Sequence, residues 1–408
     1  MRIAIAAEHF DPSGGGAERS TDQIARELAA RGHEVTILSG YGVESDDDSG
    51  VRVRLCPGGK PRTALGLVRF SAWVERALRE GKFDASLSIT TAAAADVVQP
   101  RSGMVREFQL RNVARRRSAA GRVVKRAALM ASPKQRALRV LEARTMRCGR
   151  VRRFVAISDY VRRQMMTHYG VAEDRIVVIP NAVELPEWTD SEKSALRGRL
   201  RREMEIGEGT TAFLFVSHNP ALKGFGSLMA AFGGLVERGA DVALLVVGCW
   251  SYRLERHAQR AMVRERVRFV GKTGEVGPLY CAADVCVLPS YFDPSSKVVL
   301  EALAMGLPAI TSRYNGASDQ VMPCDGVPRG RVVDEPDDVE ALARAMAELT
   351  APDERRRCAA AAAGLGEELS MRRHVDGLEG VLGDCRLPIA DCQVPSVECR
   401  VSSGMGGA

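Results

Sequence analysis

ADVCVLPSYFDPSSKVVLEALAMGLPAITS, Ala283 to Ser312, is the stretch whose reading decides the fold. Asp284 to Pro289 is a short apolar run of strand length. A polar loop follows, and Val298 to Met305 then carries apolar residues at helical spacing, closed by Gly306. Pro308 to Thr311 is a second apolar run. Strand, loop, helix, turn and strand in this order form one unit of a parallel sheet. The loop lies at the carboxyl end of the first strand, where open α/β sheets bind ligands. It presents Asp293 and the free amides near Ser295, Ser296 and Lys297 to one crevice. Glu301 sits one turn into an apolar helix; buried there it needs a partner, and ribose hydroxyls are suitable donors.

The same alternation runs outward from this unit. Upstream lie TAFLFVS (strand), Gly226 to Arg238 (helix), ALLVVG (strand), Val267 to Val270 (strand) and Gly277 to Ala282 (short helix). A charged helical stretch, Glu184 to Gly209, precedes them, and an acidic helix near Asp337 to Leu349 follows. The chain opens on a matching pattern: strand MRIAIAA, a glycine loop, a helix from Ala17 to Arg31, and strand HEVTIL. Further strands are expected at 51–55, 85–89, 153–157 and 176–179, the last two flanking a helix at Asp159 to Tyr169. The fold class is therefore α/β with two doubly wound domains. We place the first at 1–182, the second at 183–365, a C-terminal helix packing back on the first at 366–387, and a disordered tail at 388–408.

Composition agrees with two globular domains: 408 residues, 45% apolar and 27% charged. The longest apolar runs, such as Ala243 to Trp250, fall far short of the roughly 20 residues that span a bilayer. The apolar start ends at Glu8, too short for a signal-peptide core, so export is not expected. Ten cysteines are scattered without C-x-x-C spacing and read as reduced and cytoplasmic; the spaced trio Cys385, Cys392 and Cys399 reads as neither metal site nor redox centre.

The net charge of +7 is unevenly spread. Arg101 to Arg153 holds 17 Lys or Arg against Glu107 and Glu142, a net of +15, which leaves −8 for the remainder. Apolar residues interleave (Val123, Val124, Leu129, Met130, Leu138, Val140), the pattern of basic amphipathic helices on an anionic surface. Phe108 is the block's one aromatic, and stacking residues for nucleic acid are otherwise missing, so no nucleic-acid partner is expected.

Gly14-Gly15-Gly16 follows the first strand and opens the first helix, where bare amides and the helix dipole attract an anion. Arg19 stands where a dinucleotide fingerprint has its third glycine. His9 is a candidate for the same crevice, and His33 reads as structural. Asp46, Asp47 and Asp48 read as a solvated turn.

With these residues in view, the sequence resembles the retaining glycosyltransferases of family 4, whose GT-B fold sets two facing Rossmann-like domains around a crevice. That family's signature is an acidic residue, seven residues, a glutamate, then A-x-x-x-G-x-P. DPSSKVVLEALAMGLPAITS matches, with Asp293 for the usual first Glu, and GGGAERSTDQIARELAARGHEV matches the family's glycine loop, first helix and following strand. The resemblance implies that Glu301 holds the ribose of a nucleotide-sugar, that Asp293 holds hydroxyls of the transferred sugar, and that the amides from Ser295 to Val298 meet the diphosphate. Gly15 and Gly16 would lie on the donor from the first domain. Lys223, in SHNPALKG, matches the lysine that neutralises the leaving diphosphate, a role needing no metal or other cofactor. The family often has an arginine just before that lysine and another about six residues upstream of the lysine; here stand Leu222 and Ser217, and Arg175 or Arg313 could substitute.

Within the family, ADVVQPRSG (Ala95 to Gly103) and the loop Ser217-His218-Asn219 resemble the lipopolysaccharide core glucosyltransferase I group. That likeness implies Asp96 at the acceptor, His218 and Asn219 at the donor, and UDP-glucose as donor to a lipopolysaccharide core or other cell-envelope glycan. It also implies peripheral attachment to the inner face of the cytoplasmic membrane through 101–153. A catalytically silent nucleotide-binding relative is the alternative.

Overall fold

The computed structural model describes residues 1–12, 16–43, 45–46, 50–58, 60–116, 118–248, 252–324 and 326–385. Gly15, Asp47, Asp48 and the tail 388–408 with Cys392 and Cys399 lie outside the described residues.

The strands of the first domain are β1 (Arg2–Ala7), β2 (Glu34–Ser39), β3 (Ser45–Asp46), β4 (Val51–Leu55), β5 (Ala85–Ser88), β6 (Val97–Val98), β7 (Arg153–Ala156) and β8 (Ile176–Val178). They form one sheet in the order β3-β4-β2-β1-β5-β6-β7-β8, parallel except where β3 meets β4. Ile3, Ala4, Ile5 and Ala6 on β1 are all buried, as a strand covered on both faces requires. The covering helices are α1 (Gly16–Ala30), α2 (Ala64–Glu80), α3 (Val105–Ala114), α4 (Ala119–Ala131), α5 (Pro133–Met146) and α6 (Asp159–Tyr169). The basic block thus becomes the helices α3 to α5, inserted between β6 and β7. None of α4's residues is buried.

In the second domain, α7 (Asp190–Glu203) leads into β9 (Thr211–Val216), α8 (Phe225–Glu237), β10 (Val242–Val247), α9 (Tyr252–Arg260) and β11 (Val267–Gly271). There follow α10 (Gly277–Ala282), β12 (Val285–Leu288), α11 (Lys297–Ala304), β13 (Ala309–Ser312), α12 (Ser318–Val321), β14 (Gly330–Val333), α13 (Val339–Glu348) and α14 (Pro352–Ala361). The all-parallel sheet runs β11-β10-β9-β12-β13-β14, a doubly wound order that reverses between β9 and β12.

The chain then recrosses through α15 (Leu365–Glu368), and α16 (Met371–Asp384) seats on the first domain. Val375, Leu378 and Leu382 of α16 pack into one cluster with Ile3, Ile24 and Leu28. At the rim, Arg31 donates to Asp376 at 2.6 Å and to Glu379 at 3.0 Å, and His33 Nε2 lies 2.9 Å from Glu379. The two crossings touch: Val183 N–H donates to Leu369 O at 2.8 Å, and His374 Nδ1 lies 2.6 Å from Pro180 O. Since a carbonyl only accepts, His374 carries its proton on Nδ1.

His374 is buried, and desolvation together with the nearby Arg101 and Lys297 pushes its pKa down to about 4. The imidazole is therefore neutral in the folded protein while the unfolded chain takes up a proton near 6.5. Stability should fall as pH drops from about 6.5 towards 4, by on the order of 3 kcal/mol for this group. Urea unfolding at pH 7.0 and 4.5 checks it: His374→Gln should lose less stability between the two than the parent, and an equal loss in both would refute the assignment.

Candidate active site

The carboxyl ends of both sheets face one cleft of about 500 Å³. From the second domain, the loop after β9 delivers Lys223. Ser217 Oγ accepts from Asn219 N–H at 2.9 Å, and Asn219 O accepts from Lys223 N–H at 3.2 Å, so the turn is fixed by its own polar groups. Gly224 closes it at φ +76°, with Pro289 O only 2.1 Å from where a Cβ would stand. A side chain here would force the two ligand-facing loops apart.

Lys223 Nζ is ion-paired with Asp293 Oδ2, both side chains largely buried. Asp293 is positioned by main chain: its N–H donates to Tyr314 O and its carbonyl accepts from Gly316 N–H, each at 2.9 Å. Gly316 has no room for a Cβ, since Pro294 O would lie 1.9 Å away. Ser296 precedes α11 without a side-chain cap, and Asn315 Oδ1 accepts its N–H at 3.2 Å. Lys297 and Val298 begin the helix, with Lys297 half-buried.

One turn on, Glu301 Oε2 accepts from Tyr280 Oη at 2.7 Å, and no described residue bonds its other oxygen. Burial pushes the Glu301 carboxyl up, with Tyr280 and Lys297 opposing. Two neighbouring acceptor sites, one committed and one open, suit a vicinal diol.

The first domain lines the cleft with His9, which the sequence singled out, and with Glu8 and Arg101, which it did not. Glu8, directly after β1, accepts from Thr90 Oγ1 at 2.5 Å, and burial pushes its carboxyl up. His9 stacks on Tyr41 with centroids 4.9 Å apart and meets Glu18 at 2.9 Å. Arg101 also lines the cleft, its Nη2 donating to Ser20 Oγ at 2.5 Å. Position was the available signal for Glu8, because a residue ending a parallel strand near the reversal faces the crevice.

Several expected residues lie elsewhere. Asp96 precedes β6, at the amino-terminal edge of the sheet and away from the cleft; it accepts from Ser86 Oγ at 2.5 Å and lies 3.8 Å from Arg150. Its assignment to the acceptor is corrected accordingly. His218 is exposed and absent from the cleft wall, and Asn219 serves the turn rather than the opening. Gly16 starts α1, while Gly15 lies outside the described residues. Arg175 bonds Val151 O and lies over Phe154, and Arg313 bonds Tyr314 and Glu335, so neither reaches Lys223.

The domains are joined beside the cleft. Tyr160, Phe292 and Tyr314 form an aromatic cluster with Phe108 and Leu222 packed against it. Ser158 Oγ donates to Pro294 O and Asp159 N–H to Asp319, both at 2.6 Å.

Comparison with known proteins agrees in fold and in order of domains. Residues 14–187 match the Glycosyltransferase Family 4 model and residues 197–364 the Glycosyl transferases group 1 model. Spore coat protein SA of Bacillus subtilis (strain 168) is 29% identical over 181 residues, 41% of this chain and 48% of that protein. The chain thus spans under half the length of that relative, whereas its match to the lipopolysaccharide glucosyltransferase WaaG of Escherichia coli (strain K12) is 25% identical over 345 residues, 84% of this chain and 87% of WaaG. The crystal structure of WaaG superposes with a TM-score of 0.72 at 23% identity, covering 93% of this chain and 99% of that one. Anabaena Alr3699/HepE in complex with UDP and glucose superposes at 0.65 and 18% identity, covering 94% and 99%. With one family model on each Rossmann-like half and the two cleft loops in the family's order, this chain belongs to the GT-B glycosyltransferases of the group 1 and family 4 kind.

Proposed function

We propose that the chain is a retaining hexosyltransferase that moves glucose from UDP-glucose to a lipopolysaccharide core or related cell-envelope glycan. The observation that carries the reading is the Lys223–Asp293 pair, whose lysine lines the cleft together with Glu8 and His9 of the other domain, while Glu301 with its open acceptor lies on the helix that follows the Asp293 loop. In this reading the nucleotide lies on the second domain, with its ribose on Glu301 and its diphosphate at the start of α11, near Ser295, Ser296 and Val298. Lys223 turns from Asp293 to the leaving diphosphate, which frees the Asp293 carboxylate for hydroxyls of the sugar. A fixed ammonium aimed at charge that develops on the leaving group lowers the barrier without a metal ion. The acceptor enters against Glu8 and His9, and a phosphate oxygen of the departing nucleotide takes its proton on the face that the donor leaves. Similarity to WaaG, and a fold shared with a protein crystallised with UDP and glucose, support the choice of donor and acceptor.

The helices α3 to α5 give this enzyme a surface for its substrate's membrane. Val123, Val124 and Met130 of α4 and Val140 of α5 are 60 to 68% exposed. A groove of about 960 Å³ beside them is walled by Arg122, Arg126, Arg136 and Arg139. Apolar residues ringed by arginine suit an anionic leaflet. No helix among the described residues is long and apolar enough to cross a membrane.

Glu301→Ala should lower affinity for UDP-glucose at least tenfold, since charge-assisted hydrogen bonds are worth about 1.5 to 3 kcal/mol each. Calorimetric titration of the folded variant measures this, and parental affinity would remove Glu301 from the donor site. Lys223→Ala should slow transfer by about two to three orders of magnitude, while EDTA leaves the parent rate largely intact. A loss below fivefold, or abolition by EDTA, would assign the diphosphate to another partner. With anionic vesicles, the parent should co-sediment at low salt and be released at high salt. Replacing Arg116, Arg122 and Arg126 together by Gln should abolish that sedimentation, each cation contributing on the order of 1 kcal/mol. Sedimentation as strong as the parent's would rule out this surface.

A further inference from the structure

Lys223 accounts for one cation at the leaving group, yet the family pattern places an arginine beside it, and this chain has Leu222 there, packed in the aromatic cluster between the domains. The missing charge has two candidates: Arg101, which lines the cleft from the first domain, and Lys297, which begins α11 after the Asp293 loop of the second. Arg101 projects from the segment after β6, its backbone N–H held by Ile89 O at 3.3 Å. Its Nη2 donates to Ser20 of α1; its Nη1 is sealed from solvent and has no partner among the described residues, and none of their carboxylates pairs with it. Lys297, the first residue of α11, makes no hydrogen bond or ion pair with any described residue, and its helix has no side-chain cap. Burial and then Arg101 push the Lys297 ammonium below its usual range, and burial brings Arg101 itself to about 10. Two half-buried cations of like sign, one from each domain, repel until an anion lies between them.

We propose that Arg101 and Lys297 form a clamp, one arm from each domain, that grips the donor's diphosphate and takes the place of the arginine lost at Leu222. The inference rests on the donor reading above and adds the residues that hold the phosphates. The planar guanidinium gives two parallel donors to phosphate oxygens, and the ammonium gives a point charge. Because the arms belong to different domains, bound diphosphate also holds the cleft shut, and a nucleotide with one phosphate grips it less. His374, whose pKa both cations lower, registers the charge between them.

The test is titration calorimetry of the full chain with UDP, GDP and ADP, followed by the monophosphate of whichever diphosphate binds most tightly. The parent should prefer diphosphate to monophosphate. Arg101→Gln and Lys297→Gln should each weaken the diphosphate about tenfold, as loss of a charge-assisted bond does, and the monophosphate much less. Arg101→Lys keeps the charge without the fork and should fall between. By proton NMR, His374 should titrate at higher pH in the parent with diphosphate bound, and also in unliganded Arg101→Gln. Parental diphosphate affinity in both Gln variants, or an unmoved His374, overturns the clamp and leaves the donor site standing. A parent that binds none of the three diphosphates overturns the donor reading and the clamp with it.

Discussion

Everything in the cleft depends on how Asp293 is held. Main chain fixes it on both sides, through Tyr314 O and Gly316 N–H, and the neighbouring Pro294 carbonyl accepts from Ser158 of the other domain. One short segment therefore aims a carboxylate at Lys223, leads into α11 and joins the domains. The absence of a side chain at Gly316 lets these strands of contact come together, because any Cβ would meet Pro294 O and Ser158. Rigid backbone on one side and a salt-bridged lysine on the other hold the carboxylate in one preorganised place.

The distribution of charge follows from the two sheets. Each contributes the carboxyl ends of its strands, so polar residues of otherwise apolar strands and loops collect in one place. The second domain supplies Lys223, Lys297 and Glu301, and the first supplies Glu8, His9 and Arg101. Burial raises the carboxyls of Glu8 and Glu301 and lowers Lys297 and Arg101, which is the expected cost of ionic groups placed with incomplete partners. A ligand with hydroxyls at one end and phosphates in its middle meets each of these unfilled demands.

Much of this was legible in the sequence for physical reasons. Strands covered on both faces read as unbroken apolar runs, and the helices between them keep helical spacing, so the βαβ units around Ala283 to Ser312 and at the start of the chain stand out. The short elements do not: β6 has two residues and β3 has two, too few for any periodicity. The helix α2 went unread although Leu67, Phe70, Val74 and Leu78 mark its buried face. Asp96 was misplaced because likeness of sequence does not give strand direction, and a residue before a parallel strand lies at the edge opposite the cleft. Arg101 was counted among 17 cations of a surface block, where composition hides the one whose Nη1 is sealed inside.

The central claim is that the Lys223–Asp293 pair is the resting state of a donor site and opens when a nucleotide-sugar arrives. A crystal structure of the protein with UDP-glucose tests it most directly. The expected result is a ribose on Glu301, the diphosphate beside the start of α11 with Lys223 Nζ turned onto it, and Asp293 on hydroxyls of the sugar. A nucleotide bound outside this cleft, or one bound inside it with Lys223 still paired to Asp293, would contradict the account.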